Sequence, residues 1–105
     1  MTDLEYAKKF LTLYATAKER KIECTMSFKH YVKLQKTKVC FYTGVIFINV
    51  DNHPLQRSID RIDASLGYTD KNTVACTREF NCRKSNITIS DITIMYEILQ
   101  KNKLL

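Results

Sequence analysis

Polar and charged side chains of several kinds are concentrated between Arg57 and Asn86, in a chain that has only two glycines. Asp60 and Asp63 lie three residues apart with Arg61 between them, and asparagine and lysine side chains follow. Carboxylate and amide oxygens are the ligands that hard divalent cations prefer. Arginine and lysine bind phosphate oxygens. The segment therefore combines the residue types that metal-assisted chemistry on a phosphate requires.

The overall charge is consistent with such a substrate. The chain has 105 residues, with 17 Lys and Arg against 11 Asp and Glu, and a formal charge of +6. This balance favours a polyanionic partner such as DNA, and the simpler alternative is a solvated basic surface. The length predicts a single domain, and the hydrophobic fraction of 45% argues against disorder.

Neither a membrane segment nor a zinc site is expected. The longest apolar run, Val45 to Ile48, is too short to cross a bilayer. The acidic N-terminus lacks the apolar region of a secretory signal, so we expect a cytoplasmic protein, in the host cytoplasm if it is phage-encoded. No two of the four cysteines form a C-x-x-C pair, which predicts reduced thiols and no structural zinc.

Hydrophobic periodicity and capping residues predict an α+β fold with four helices. The helices are expected from Asp3 to about Arg20, from Phe28 (capped by Ser27) to about Lys36, from Arg78 to about Lys84, and after Ser90 as a cap. The last of these carries an apolar stripe.

Extended structure is predicted in three places. The β-branched and aromatic residues from Val39 to Val50 predict irregular extended structure around a turn at residues 42–44. Ser58–Asp63 and Thr73–Cys76 are predicted as short strands, separated by a loop over residues 66–72.

The order of these motifs resembles the ββα-metal core of small, phage-type HNH endonucleases. The matching residues are Cys40-Phe41-Tyr42-Thr43-Gly44, Asp60-Arg61-Ile62-Asp63, Gly67-Tyr68-Thr69, Asn72 and Asn81-x-x-Lys84. The resemblance implies one HNH-like domain over residues 1–105. Its parts would be a helical N-terminal region (1–37), the ββα-metal core (38–86) and a C-terminal helix (87–105).

The resemblance also implies roles for particular side chains. Asp60 and Asn81 would bind Mg²⁺, or another divalent ion such as Mn²⁺, beside a DNA phosphate. Asn72 would tie the loop to the backbone, and Asp63 would also have a structural role. The simpler alternatives are an Asx turn or a surface ion pair with Arg57 or Arg61 for Asp60, and a surface amide for Asn81.

Arg61 departs from the family pattern, because a histidine that activates water normally follows the metal-binding aspartate. Arginine stays protonated and is a poor general base, although it can hold a phosphate oxygen. His53 or Tyr68 could take the proton instead, since a phenol can act when a nearby cation stabilises its anion. Alternatively, water held by the metal reacts without a protein base, or cleavage has been lost and DNA binding kept.

Basic residues around the proposed helix could contact DNA phosphates, with a solvated basic face as the alternative. They are Arg57, Arg78, Arg83 and Lys84. Thr43 and Phe80 stand about where zinc-stapled members of the family have paired cysteines, so we expect hydrophobic helices to support the core. A homodimer or a protein partner is possible, and no membrane contact is expected.

Overall fold

A computed structural model describes residues 1–105 and has a mixed α+β architecture, as predicted. The helices are α1 (Asp3–Glu19), α2 (Phe28–Lys36), α3 (Arg78–Lys84) and α4 (Ile89–Lys101). The strands are β1 (Arg57–Arg61) and β2 (Thr73–Thr77), and they form one two-stranded sheet.

Local hydrogen bonds fix where the helices begin. Ser27 caps α2 as predicted, by accepting a bond from the His30 amide. The prediction that Ser90 caps the last helix was wrong: Thr88 is the N-cap of α4, and Asp91 bonds back to the Thr88 amide. This capping box pairs two backbone N–H groups at the start of the helix. It needs a partner side chain three residues after the cap, and Asp91 is only one residue after Ser90.

The two strands pair antiparallel, with Asp60 opposite Val74 and Arg57 opposite Thr77. All five residues of β2 are buried, so this strand is the centre of the fold. Thr77 ends β2 and caps α3 at the same time. The helix therefore turns back directly across the sheet.

The hydrophobic core lies between the N-terminal helices and one face of the sheet. It is a cluster of six buried residues: Ala17, Met26, Tyr31, Leu34, Tyr68 and Ala75. The ring of Phe10 on α1 packs against those of Phe28 and Tyr31, at centroid distances of 5.6 and 5.2 Å. Since α3 contacts both strands from the other side, the sheet is covered on both faces.

The segment Val39–Val50 forms no regular strand and turns back on itself around residues 41–44. Its only ladder contact is a single antiparallel bridge between Val39 and Ile46, around a turn in which Gly44 has φ +72°. The backbone amide of Phe41 bonds to the carbonyl of Ala75 on β2, which holds the turn against the sheet edge. β-branched residues favour a strand only where another layer covers them, and Val39, Ile46 and Val50 are exposed.

Helix α4 also departs from expectation. It carries the predicted apolar side chains but buries none of them, so only the N-terminal helices support the core. The molecule is correspondingly elongated, measuring 52 × 30 × 21 Å.

None of the helices combines the length and the apolar composition needed to cross a membrane.

Candidate active site

Four of the predicted site residues line one cavity of about 180 Å³. They are Asp60, Arg61, Tyr68 and Asn81. The cavity lies where β1 ends and α3 reaches its last turn. Its other lining residues are Arg20, Ile59, Ala64, Ser85 and Asn86.

The two oxygens of Asp60 have different surroundings. Oδ2 accepts a hydrogen bond of 2.6 Å from the Tyr42 hydroxyl and lies 3.3 Å from Lys84 Nζ. Oδ1 has no hydrogen-bond partner, although the residue is only 5% exposed. Asp60 is thus neither an Asx turn nor a surface ion pair with Arg57 or Arg61.

Asn81 also keeps one oxygen free. Its Nδ2 donates to Ser58 Oγ at 2.8 Å, which fixes the amide against β1. Its Oδ1 has no partner. A carboxylate oxygen and an amide oxygen beside one cavity are a suitable donor pair for Mg²⁺, which binds few protein ligands and keeps several waters. The residues present therefore fit such an ion, although no group of three or more His, Cys, Asp or Glu side chains converges anywhere in the chain.

Lys84 is buried and forms an ion pair with Asp60, whereas the sequence predicted a contact with a DNA phosphate. Besides the ion pair, its ammonium donates a bond of 2.8 Å to the Arg61 carbonyl, and the residue is only 7% exposed. The positive charge stabilises the buried carboxylate. It also weakens the attraction of Asp60 for a second cation.

Arg61 holds the loop that follows β1. Its Nη1 donates to the carbonyls of Ala64 and Leu66, both at 3.0 Å, and its guanidinium lies 5.3 Å from the centre of the Tyr68 ring. A guanidinium has five N–H donors, so those on Nε and Nη2 remain for an anion in the cavity.

Arg20, which sequence reasoning missed, adds a second guanidinium to this cavity. It is the C-cap of α1, far from the motif in sequence, and no local signal identifies it. The loop approaches α1 closely because Tyr68 exchanges backbone bonds with residues 23, 25 and 26. Gly67 permits this approach, since a Cβ there would lie 2.4 Å from the Glu23 carbonyl oxygen.

The two candidate bases are placed differently. Tyr68 lines the cavity. His53 does not: its Nδ1 accepts a bond from the Leu55 amide, in a loop whose Pro54 carbonyl accepts from Glu79 at the start of α3. The cavity lies at the opposite end of that helix.

Asn72 and Asp63 shape the loop between the strands. The Asn72 amide accepts from the Asp63 backbone N–H and donates to the carbonyls of Asp63 and Gly67, at 2.9 to 3.0 Å. It ties the loop to the backbone in the way that the resemblance implies. Hydrogen bonds from the Ser65 hydroxyl and amide hold the pKa of Asp63 below its usual value, so this carboxylate closes a turn.

The remaining basic residues lie outside the cavity. Arg57 donates through Nε and Nη2 to the Thr37 carbonyl and packs over the Phe47 ring, and its phosphate contact stays a prediction. Arg78 bonds to the Asn52 carbonyl, and exposed Arg83 pairs with Glu79 at 3.0 Å. Of these three residues, only Arg78 and Arg83 are exposed.

Tyr42 is the second residue that sequence reasoning missed. Its ring stacks on Phe80 at a centroid distance of 4.8 Å, and this stack joins the residue 40–44 turn to α3. Burial first, and then the hydrogen bond to Asp60 and its charge, raise the pKa of Tyr42 well above its usual value. The hydroxyl therefore remains a donor to Asp60. The only hint in the sequence was the position of Tyr42 within the motif Cys40–Gly44.

Comparison with known proteins gives one distant relative. The chain is 29% identical over 79 residues to a protein of Enterobacteria phage T4, described as an uncharacterized 29.0 kDa protein in the dda-modA intergenic region. The matched segment is 74% of this chain and 31% of the T4 protein, so the chain spans about a third of the length of that relative. No family model matches the chain. No solved structure matches it.

Proposed function

We propose that this chain is a metal-dependent DNA endonuclease of the HNH type, and that β1, β2 and α3 are its ββα-metal core. The observation that carries the proposal is the meeting of Asp60 and Asn81 at one cavity, each with an unpaired oxygen. The unpaired donors of Arg61 lie beside them. Residues separated by some twenty positions thus supply a cation site and an anion site side by side.

Mg²⁺ or Mn²⁺ bound by Asp60 and Asn81 would supply charge stabilisation at the scissile phosphate. Arg61 and Arg20 hold phosphate oxygens through charge-assisted hydrogen bonds and so orient the DNA backbone. Tyr42 and Lys84 hold the Asp60 carboxylate at a fixed place. These are positioning roles, because both side chains bond to Asp60 and not to the cavity.

Tyr68 is the better of the two candidate bases, because it lines the cavity and His53 does not. General-base catalysis typically contributes about 10²–10⁴-fold to a rate. We therefore expect Tyr68→Phe to lower the cleavage rate by that order and His53→Ala to leave it near the wild-type rate. Equal rates for wild type and Tyr68→Phe would remove the phenol from the mechanism.

Incubation of the purified chain with supercoiled plasmid and a series of divalent ions tests the main proposal. We expect nicked or linear DNA with Mg²⁺ or Mn²⁺, none with EDTA, and none with Asp60→Ala or Asn81→Ala. Asp51→Ala is the matched control, because Asp51 is exposed and lies outside the cavity. Cleavage that persists in Asp60→Ala would sink the proposal.

A second function, DNA binding without cleavage, is favoured by one specific observation. The Lys84 ammonium already neutralises Asp60, and no histidine lines the cavity. With Arg20 and Arg61 also present, the cavity attracts anions more strongly than cations. Salt-sensitive DNA binding that survives both EDTA and Asp60→Ala, without cleavage under any metal, would establish this function. If no DNA binds, a protein partner becomes the better account.

A further inference from the structure

A second cavity, of about 410 Å³, adjoins the first one beside the loop that follows β1. Its walls are residues 21–23, which follow α1, and residues 64–67 of the loop, together with Arg61. The two cavities share Arg61 and Ala64, so the Arg61 side chain lies at the boundary between them. Asp60 and Asn81 line only the first cavity. The second cavity is therefore a neighbour of the proposed metal site and contains none of its ligands.

The turn after α1 sends two consecutive basic side chains to different cavities. Arg20 lines the first cavity and Lys21 the second. Lys21 has φ +57°, in the left-handed region, and its amide donates to the Lys18 carbonyl at 3.0 Å. The Ile22 amide donates to the Ala17 carbonyl at 2.8 Å, which completes a Schellman turn. These backbone bonds fix the position from which the Lys21 side chain reaches the second cavity.

The second cavity has two cationic groups and one anionic group. The cations are Lys21 and Arg61, and the anion is Glu23. The chain has two ion pairs, and neither of them includes any of these three residues. Arg61 uses Nη1 for the loop carbonyls, which leaves its Nε and Nη2 donors for a ligand. An excess of positive charge with unpaired N–H donors favours an anion such as phosphate.

The volumes of the two cavities suit different parts of a DNA strand. Sites for small molecules typically measure about 300–1,000 Å³. The second cavity, at about 410 Å³, lies within this range, and the first, at about 180 Å³, lies below it. A phosphate group fits the smaller cavity, whereas the larger one has the size of a site for a nucleotide.

We propose that the second cavity binds the nucleotide next to the scissile phosphate, with the phosphate of that nucleotide between Lys21 and Arg61. Arg61 then contacts the DNA backbone on both sides of the boundary between the cavities. Because this second phosphate does not react, the subsite stabilises the bound substrate and the transition state equally, and it lowers KM without changing kcat. The inference rests on the proposed DNA substrate, and it holds whether the first cavity cleaves the strand or only binds it.

Fluorescence anisotropy with a labelled DNA duplex tests the subsite, in EDTA so that no metal-dependent cleavage occurs. We expect Lys21→Gly to lower the slope of log K against log salt by about one phosphate contact. Lys21→Arg keeps the charge and should keep the wild-type slope. Glycine suits a left-handed backbone, so Lys21→Gly should unfold thermally at or above the wild-type temperature.

Lys103→Gly is the matched control. Lys103 also has φ +57°, follows the end of α4 and lines neither cavity. This variant removes the same charge from the same backbone conformation, and we expect it to keep the wild-type slope. Glu23→Gln has the opposite sign: it removes the one anionic group from the second cavity and should strengthen DNA binding at a given salt concentration.

The outcomes separate the subsite from the proposed function. If wild type binds and cleaves DNA and the slope is unchanged in Lys21→Gly, the subsite is overturned and the nuclease proposal stands. If the slope falls as expected but no metal supports cleavage, the subsite is supported and only the catalytic proposal is lost. A wild-type chain that binds no DNA would overturn both.

Discussion

Asp60 is a buried carboxylate whose stability depends on two neighbours that reach it from different parts of the chain. Tyr42 comes from the turn before β1 and Lys84 from the end of α3. A buried charge without such partners is strongly unfavourable. The same two contacts occupy Oδ2 and leave Oδ1 without a partner in a residue that lines the cavity, so the groups that stabilise the fold also orient the proposed metal ligand.

Replacing Lys84 should leave Asp60 as an uncompensated buried charge. Breaking a buried ion pair by removing one partner costs about 3–5 kcal/mol, and both side chains are only 6% exposed. We expect Lys84→Met to lower the free energy of unfolding by this order in urea denaturation. Lys8→Met, at an exposed lysine, should change it by less than about 0.5 kcal/mol.

A double-mutant cycle separates the ion pair from general loss of packing. Asp60→Asn/Lys84→Met should be less destabilised than the sum of the single variants, by about 1–3 kcal/mol. Simple additivity of the two losses would mean that the pair contributes nothing beyond burial.

The Tyr42 hydroxyl makes a separate contribution that can be measured alone. Tyr42→Phe keeps the stack on Phe80 and removes only the donor to Asp60. A hydrogen bond to a charged group contributes about 1.5–3 kcal/mol, and we expect a loss of that size. Tyr14→Phe is the control, because that hydroxyl is at the surface and makes no hydrogen bond within the protein. Similar losses for the two variants would argue against a role for the Asp60 contact.

The loop between β1 and β2 has an ordered shape because side chains form hydrogen bonds with its backbone N–H and C=O groups, which have no partner strand. Asn72 pairs three of them and Arg61 two more. Gly67 allows the loop to lie directly against the chain after α1. This element therefore places Tyr68 and brings Arg20 into the same cavity.

Removal of the Asn72 amide should loosen this loop before the rest of the fold. Three bonds of about 1 kcal/mol each predict that Asn72→Ala loses about 3 kcal/mol of unfolding free energy. Amide hydrogen exchange should accelerate most at residues 63–72. Asn49→Ala, at an exposed asparagine without hydrogen bonds, should match wild type. Uniform protection in Asn72→Ala would show that the loop does not depend on this side chain.

Strand β2 carries a buried thiol that gives stability a dependence on alkaline pH. Burial raises the pKa of Cys76 from 9.0 to about 12. Between these values the unfolded chain releases the proton and the folded chain keeps it, so stability is full below about pH 9 and falls towards pH 12. The fall attributable to this group is at most about 1.4 kcal/mol per pH unit.

Urea denaturation at pH values on both sides of this range tests the effect. Cys76→Ala should show a shallower decline than wild type, after correction for its lower stability near neutrality. Parallel curves for the two proteins would mean that the Cys76 thiol does not titrate differently in the folded and unfolded states.

At the scale of the whole molecule, the cavity combines residues from the end of α1, from β1 and its loop, and from α3. It holds one carboxylate and two guanidinium groups beside the buried Lys84 ammonium. This balance, on a chain of formal charge +6, favours a phosphate ligand.

Arg20 should therefore contribute to DNA affinity although it lies far from the motif. We expect binding in EDTA to weaken as salt rises, and Arg20→Ala to lower the slope of log K against log salt by about one phosphate contact. Lys9→Ala, on the same helix but outside the cavity, should have a smaller effect. An unchanged slope in Arg20→Ala would mean that Arg20 does not contact the DNA backbone.

The sequence by itself determined the features that depend on near neighbours. The helices could be predicted from periodicity and capping residues such as Ser27, because their bonds join residues three or four positions apart. The residue patterns of segments 58–63, 66–72, 73–76 and 78–84 were enough to predict two short strands, the loop between them and a helix. The error at Ser90 was small for the same reason, since the true cap, Thr88, is only two residues away.

Only the tertiary structure decided which side chains meet. The pairing of Lys84 with Asp60, the arrival of Arg20 and the separation of His53 from the cavity depend on how α1 and α3 pack against the sheet. The exposure of α4 is likewise a result of the packing, because no other element covers its apolar side chains. Periodicity shows that a helix has an apolar face, but burial is a property of its surroundings, and those are set by contacts between residues distant in the chain.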